Sequence, residues 1–124
     1  MTADAKCLIV QPIHQIGIKV LRQAGITPVL CPDPSPETVL RMILGCSAVI
    51  TRDAGLNAEA IAAAGALRVI AVHGTGHDPV DKSAAMATGT VICTTPGANA
   101  RSVAELALGL ALALARRIPA ANQA

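Results

Sequence analysis

The 124-residue sequence predicts an α/β domain built on a parallel sheet, and three observations carry that expectation. Short runs rich in Val and Ile alternate with helical apolar stripes along the whole chain. The connections between them are brief and place Gly, Pro, Asn, Asp or Ser where the chain must turn. Apolar residues make up 52% of the composition while Phe, Tyr and Trp are absent, so the core is Ala, Val, Ile and Leu, small enough for helices to lie close on a sheet.

The first expected strand is 7–10. After it, Ile13, Ile16, Val20, Leu21 and Ala24 fall near one helical face, and Gly25 is a natural stop. Residues 28–31 form the second strand, followed by a stiff, proline-rich surface loop. A second helix starts at Ser35-Pro36-Glu37, carries the stripe Val39, Leu40, Ile43 and Leu44, and ends at Gly45. Ala48–Thr51 is the third strand, and Asn57 caps a third helix that runs through Ala64 to Gly65. Val69–Val72 is the fourth strand, 81–87 a short helix stopped by Gly89, and Val91–Cys93 the fifth strand. Strands this short and apolar suit burial on both faces. The last element is a long helix over 102–118. Its stretch 106–115 carries no charge, and Leu106, Leu108, Leu110, Leu112 and Leu114 point around its whole circumference. Such a helix needs cover, yet ten uncharged residues are too few to span a bilayer. Strand–helix alternation with short turns implies right-handed crossovers, helices on both faces, and five strands in the flavodoxin-like order 2-1-3-4-5.

Composition narrows the function. The net charge of +2 is spread without a basic block, and there is no aromatic ring on which a base could stack. Nucleic acid and anionic membrane are therefore not expected partners. Cysteines at 7, 31, 46 and 93 show neither CxxC nor zinc-like spacing, so buried, reduced thiols and no metal are expected. The apolar run at 7–10 is too short for a signal segment or a span, which points to a soluble cytoplasmic protein.

In open parallel sheets ligands bind beyond the carboxyl ends of the strands. Those ends gather Gln11, Pro12 and His14; Arg52 and Asp53; His73 through Asp78; and Thr94 through Asn99. An arginine, three histidines and glycine-turn N–H groups on one edge suit an anion. A phosphorelay receiver would need an acidic cluster after strand one and a lysine at strand five, where this chain has Gln11 and Thr94.

Three motifs in order make the pattern specific: Gly74 to Asp81 reading G-x-G-x-D-x-V-D, Thr95 to Asn99 reading T-P-G-x-N, and Val103 to Leu106 reading V-A-E-L. Together they resemble the junction between substrate and NAD domains in D-isomer-specific 2-hydroxyacid dehydrogenases, among them the D-3-phosphoglycerate dehydrogenase-like members. The resemblance implies a substrate domain over 1–98, with 99–124 beginning the hinge helix into an NAD domain whose GxGxxG turn lies outside this chain. It implies that the N–H groups of Gly74, Thr75 and Gly76 hold a substrate carboxylate, that Arg52 reaches a distal phosphate, and that Asn99 lies on the substrate side. Thr75 and Val103 would border the nicotinamide of NAD. In the family the proton-transferring histidine, its carboxylate and a clamping arginine come from the NAD domain, so no catalytic residue is expected here. His73 and His77 are expected to be structural or solvated, Asp78 a turn residue and Asp81 a helix cap. Asp53 stands where the family commonly has a small hydroxyl residue, and Pro79 replaces a frequent Asn. The implied reaction turns a 2-hydroxy acid into a 2-oxo acid with hydride passing to NAD, and the 124-residue piece alone is expected to be inactive and to form a homodimer through 102–118. The alternative is a stand-alone or engineered flavodoxin-like fragment, a small-anion or self-association module without catalysis.

Overall fold

The computed structural model describes residues 4–122. Five strands, β1 (Lys6–Ile9), β2 (Thr27–Leu30), β3 (Ala48–Thr51), β4 (Val69–Val72) and β5 (Val91–Cys93), pair in parallel in the order β2-β1-β3-β4-β5. Parallel neighbours need crossovers, and four helices supply them: α1 (Gln15–Gln23), α2 (Pro36–Met42), α3 (Ala58–Ala63) and α4 (Lys82–Thr88). Each begins where a side chain accepts an otherwise unpaired N–H. His14 caps Ile16, Ser35 caps Thr38, Asn57 caps Ala60 and Asp81 caps Ala84. Gly89 ends α4 at φ 70°, a left-handed backbone that residues with a Cβ rarely adopt. Gly65 has no such part, because Ala64 ends α3 with its N–H on the Ile61 carbonyl.

The core lies between the sheet and α2, α3 and α4, where Leu8, Val49 and Ile70 meet Val39, Ile43, Ile61 and Ala85. On the opposite face, among the described residues, only α1 packs, through Ile18. The expected stripe of α1 is displaced: Ile16 and Val20 are 66% and 57% exposed. Apolar spacing gives a helix an apolar flank, but α1 lies over the β1–β2 side, so that flank overlooks sheet that no helix of the described residues covers. Ile50 and Ala71 are accordingly half-exposed and Val91 is exposed, so β3 to β5 are not buried on both faces as their composition predicts.

Among the described residues the C-terminal segment does not close this gap. Helix α5 (Ala100–Ala115) has no buried residue, and its main packing among the described residues is against α6 (Ile118–Ala121). The single helix expected over 102–118 is divided in two: Arg117 adopts φ 52° and a new turn begins with Pro119 inside it. Proline has no N–H, and its ring would strike the carbonyl four residues earlier, so α5 cannot run through it. Positions 123 and 124 of the expected 99–124 segment lie outside the described residues. No helix among them is long and apolar enough to cross a membrane.

Candidate functional site

The loops at the carboxyl ends of β1, β3, β4 and β5 are fastened to one another before any ligand is considered. The Gln11 side-chain oxygen accepts from the N–H groups of Arg52 (3.1 Å) and Ala54 (2.9 Å), tying the β3 loop to the end of β1. The buried Thr51 hydroxyl donates to the Gly55 carbonyl at 2.8 Å. Gly55 sits at φ 66°, and a Cβ there would collide with the Pro79 carbonyl. That closeness lets the Leu56 N–H reach Pro79 O (3.1 Å) and the Asp81 N–H reach Leu56 O (2.9 Å), joining the Arg52 loop to the turn after β4. Sequence reasoning passed over both fastenings. A glycine two residues before the Asn57 cap is a weak local signal for the second; Gln11 carries none.

The turn after β4 is held from two sides. The His73 N–H donates to Thr51 O at 2.7 Å, and the Gly74 carbonyl accepts from both the N–H (2.9 Å) and the hydroxyl (3.0 Å) of Thr95. The Gly74 N–H is engaged by Val72 O at 2.8 Å. The next four N–H groups, from Thr75, Gly76, His77 and Asp78, meet no acceptor among the described residues. Successive N–H groups in a turn form an electropositive seat for an anion where they converge.

Beside them opens a cavity of about 390 Å³ lined by Arg52, Asp53, residues 72–76, Asp78, Pro79 and Asn99. Arg52, Gly74, Thr75, Gly76 and Asn99 thus share one wall system. Asn99 occupies the N-cap position of α5 without making a capping bond, which leaves its amide to the cavity. The Arg52 guanidinium makes a long 3.5 Å bond to Pro12 O. Asp78 pairs with Lys82 at 3.2 Å. Val103 does not line the cavity; it stands one turn along α5, 55% exposed, with its N–H on Asn99 O. His77 is also outside the wall, and His14 is occupied in capping α1. A second, more apolar cavity of about 270 Å³ lies between α1 and the uncovered sheet, bounded by Ile13, Ile16, Ile50 and Ala71, with His73 between the two.

All four thiols are free, but they are not uniformly buried as expected. Cys7 and Cys46 are, Cys31 is half-buried and Cys93 is exposed on the edge strand β5. Burial, and then the neighbouring Cys46, push the Cys7 thiol up to about 11. No group of three or more His, Cys, Asp or Glu among the described residues could hold a metal ion.

The model of the D-isomer specific 2-hydroxyacid dehydrogenase catalytic domain matches residues 7–122. The chain belongs to this family. Relatives of this 2-hydroxyacid dehydrogenase domain include the D-3-phosphoglycerate dehydrogenase of Archaeoglobus fulgidus, 35% identical over 119 residues, covering 95% of the chain and 23% of that enzyme. The human D-3-phosphoglycerate dehydrogenase is 36% identical over 118 residues, covering 94% and 22%. The chain therefore spans less than a quarter of the length of these relatives. Among solved structures, a protein from Thermus thermophilus superposes with a TM-score of 0.85 at 28% identity, over 91% of the chain and 37% of its own. The NAD+-bound 3-phosphoglycerate dehydrogenase of Entamoeba histolytica superposes at 0.79, also 28% identical, over 90% and 39%. The 2-hydroxyacid dehydrogenase domain thus has the five-stranded α/β fold that its sequence predicts.

Proposed function

We propose that this chain is the substrate-holding part of a cytoplasmic NAD-dependent D-2-hydroxyacid dehydrogenase, with 1–98 as the substrate domain and the segment from 99 as a hinge into the NAD domain. The observation that carries it is that Thr75, Gly76 and Asp78, whose N–H groups meet no acceptor among the described residues, line the same cavity as Arg52 and Asn99. Thr75 and Gly76 donate to the substrate carboxylate, while Gly74 serves through its carbonyl, which Thr95 pins. Asn99 meets the substrate from the helix side and Arg52 meets its distal end. NAD, when bound, supplies the hydride acceptor for conversion of a 2-hydroxy acid to a 2-oxo acid. The residues present fit its nicotinamide end. Thr75 and Val103 are exposed, and a Cβ at Gly74 or Gly76 would meet nothing within 4 Å, so the outer side of the turn has room for a flat ring. This chain's part is to bind and orient; neither His73 nor His77 is assigned a proton transfer.

The 124-residue chain contains no GxGxxG turn, and hydride transfer needs nicotinamide in near contact with the substrate. Incubated with NAD and a panel of 2-hydroxy acids, it is expected to give no rise in NADH absorbance. Amide NMR titration with the same acids is expected to move Arg52, residues 75–78 and Asn99, with affinity in the millimolar range, worth about 4 kcal/mol. Turnover abolished by His77→Ala, or shifts confined to other residues, would overturn the proposal.

A further inference from the structure

We infer that the site takes a 2-hydroxy acid whose side chain ends in an uncharged hydrogen-bond donor such as a hydroxyl, and that Asp53 sets this preference against a phosphorylated acid. The inference rests on the function proposed above and narrows its substrate class. Every 2-hydroxy acid carries a carboxylate at C1, and the neutral N–H groups of Thr75, Gly76 and Asp78, which meet no acceptor among the described residues and belong to the cavity wall, are left to receive it. A second anionic group would have to be met by side-chain charge. Among the described residues Arg52 is the one lysine or arginine in the cavity wall, which also holds two carboxylates, Asp53 and Asp78. Lys82 is tied to Asp78 by a 3.2 Å ion pair, which leaves Arg52 and Asp53 to cancel each other. The wall therefore offers no net positive charge to a phosphate dianion.

Asp53 is the side chain best placed to discriminate. Among the described residues its carboxylate makes neither a hydrogen bond nor an ion pair, whereas Asp78 is engaged. Its backbone is held between the two N–H groups that Gln11 receives, from Arg52 and Ala54, so the loop presents arginine and aspartate to the cavity together. A hydroxyl entering between them donates to Asp53 and accepts from Arg52. A phosphate in the same position gains the guanidinium but is set against an unpaired carboxylate. A like charge opposite an incoming anion is how a site rejects one ligand while keeping another.

The test titrates the chain at pH 7.5 and low salt with D-glycerate, 3-phospho-D-glycerate and D-lactate, following the Thr75 and Gly76 amides. The expected result is that D-glycerate binds at least about fivefold more tightly than its phosphorylated counterpart. Asp53→Asn is expected to improve binding of the phosphorylated acid by about tenfold, the scale of one partly screened surface charge, and to change D-lactate by less than about twofold. Asp53→Glu keeps the charge and is expected to keep the wild-type order. Tighter binding of the phosphorylated acid by the unsubstituted chain, an unchanged ratio in Asp53→Asn, or loss of the order in Asp53→Glu would each overturn the inference while leaving 2-hydroxy acid recognition in place. If none of the three acids moves Thr75 and Gly76, the functional proposal falls and takes this inference with it.

Discussion

Cys7 lies on β1 at 1% exposure, where water cannot solvate a thiolate. Burial is the largest cause of its raised ionisation, the nearby Cys46 adds to it, and a backbone bond at Ile50 opposes it. The folded thiol ionises near 11 against 9.0 for a free one, so the folded state holds the proton more tightly than the unfolded state. Stability from this source is whole below about pH 9 and is lost as pH rises toward 11. Cys46 and Cys31 are displaced in the same direction. Melting temperatures are therefore expected to be flat from neutrality to pH 9 and to fall between 9 and 11, with Cys7→Val removing part of the fall; an identical alkaline limb in Cys7→Val would contradict this. At this scale the sequence was an uneven guide. Asp81 was legible as a cap because aspartate before a short apolar helix has few other uses. His14 was not, since a histidine's ring gives no local hint that it will accept the Ile16 N–H.

Whole elements were easier to anticipate than their surroundings. β3, β4 and β5 occupy the Val/Ile runs 48–51, 69–72 and 91–93, because the flanking residues turn the chain at once. β1 and β2 each begin one residue earlier than expected, within the ordinary fraying of short strands. What α1 faces was not legible, because periodicity describes a helix and not its neighbour. The join between the β3 loop and the β4 turn was equally hidden, since Gly55 and Pro79 meet only once the sheet has formed. That join makes a strong prediction at Gly55. A side chain there meets both a left-handed backbone and the Pro79 carbonyl. Gly55→Ala is expected to cost about 3 kcal/mol in denaturant unfolding and to speed hydrogen exchange at Leu56 and Asp81. A cost below about 0.5 kcal/mol would mean that the two loops are not locked together.

For the molecule as a whole, the leading fact is apolar surface left without a partner. Leu106, Leu108, Leu110, Leu112 and Leu114 of α5 are 55% to 74% exposed, more than a monomer in water ordinarily shows on one helix. The chain at tens of micromolar is therefore expected to be a homodimer through 102–118, its helices covering one another. Light scattering behind size exclusion decides it: a single species near 12.5 kDa would exclude the dimer. Leu110→Glu, which puts an uncompensated carboxylate in the seam, is expected to split the dimer or precipitate the chain. The double hold of Thr95 on the Gly74 carbonyl has a wider reach. Thr95 begins the turn from which α5 springs five residues later, so the proposed seat for the carboxylate and the root of the helix share one rivet. An anion that steadies the proposed seat is therefore expected to narrow the directions in which the helix can lean, and by reciprocity a restraint on the helix is expected to sharpen the seat. On the proposed function the helix is expected to act as a lever with its fulcrum at the bound acid, which slower hydrogen exchange at 100–103 in the presence of the acid would report.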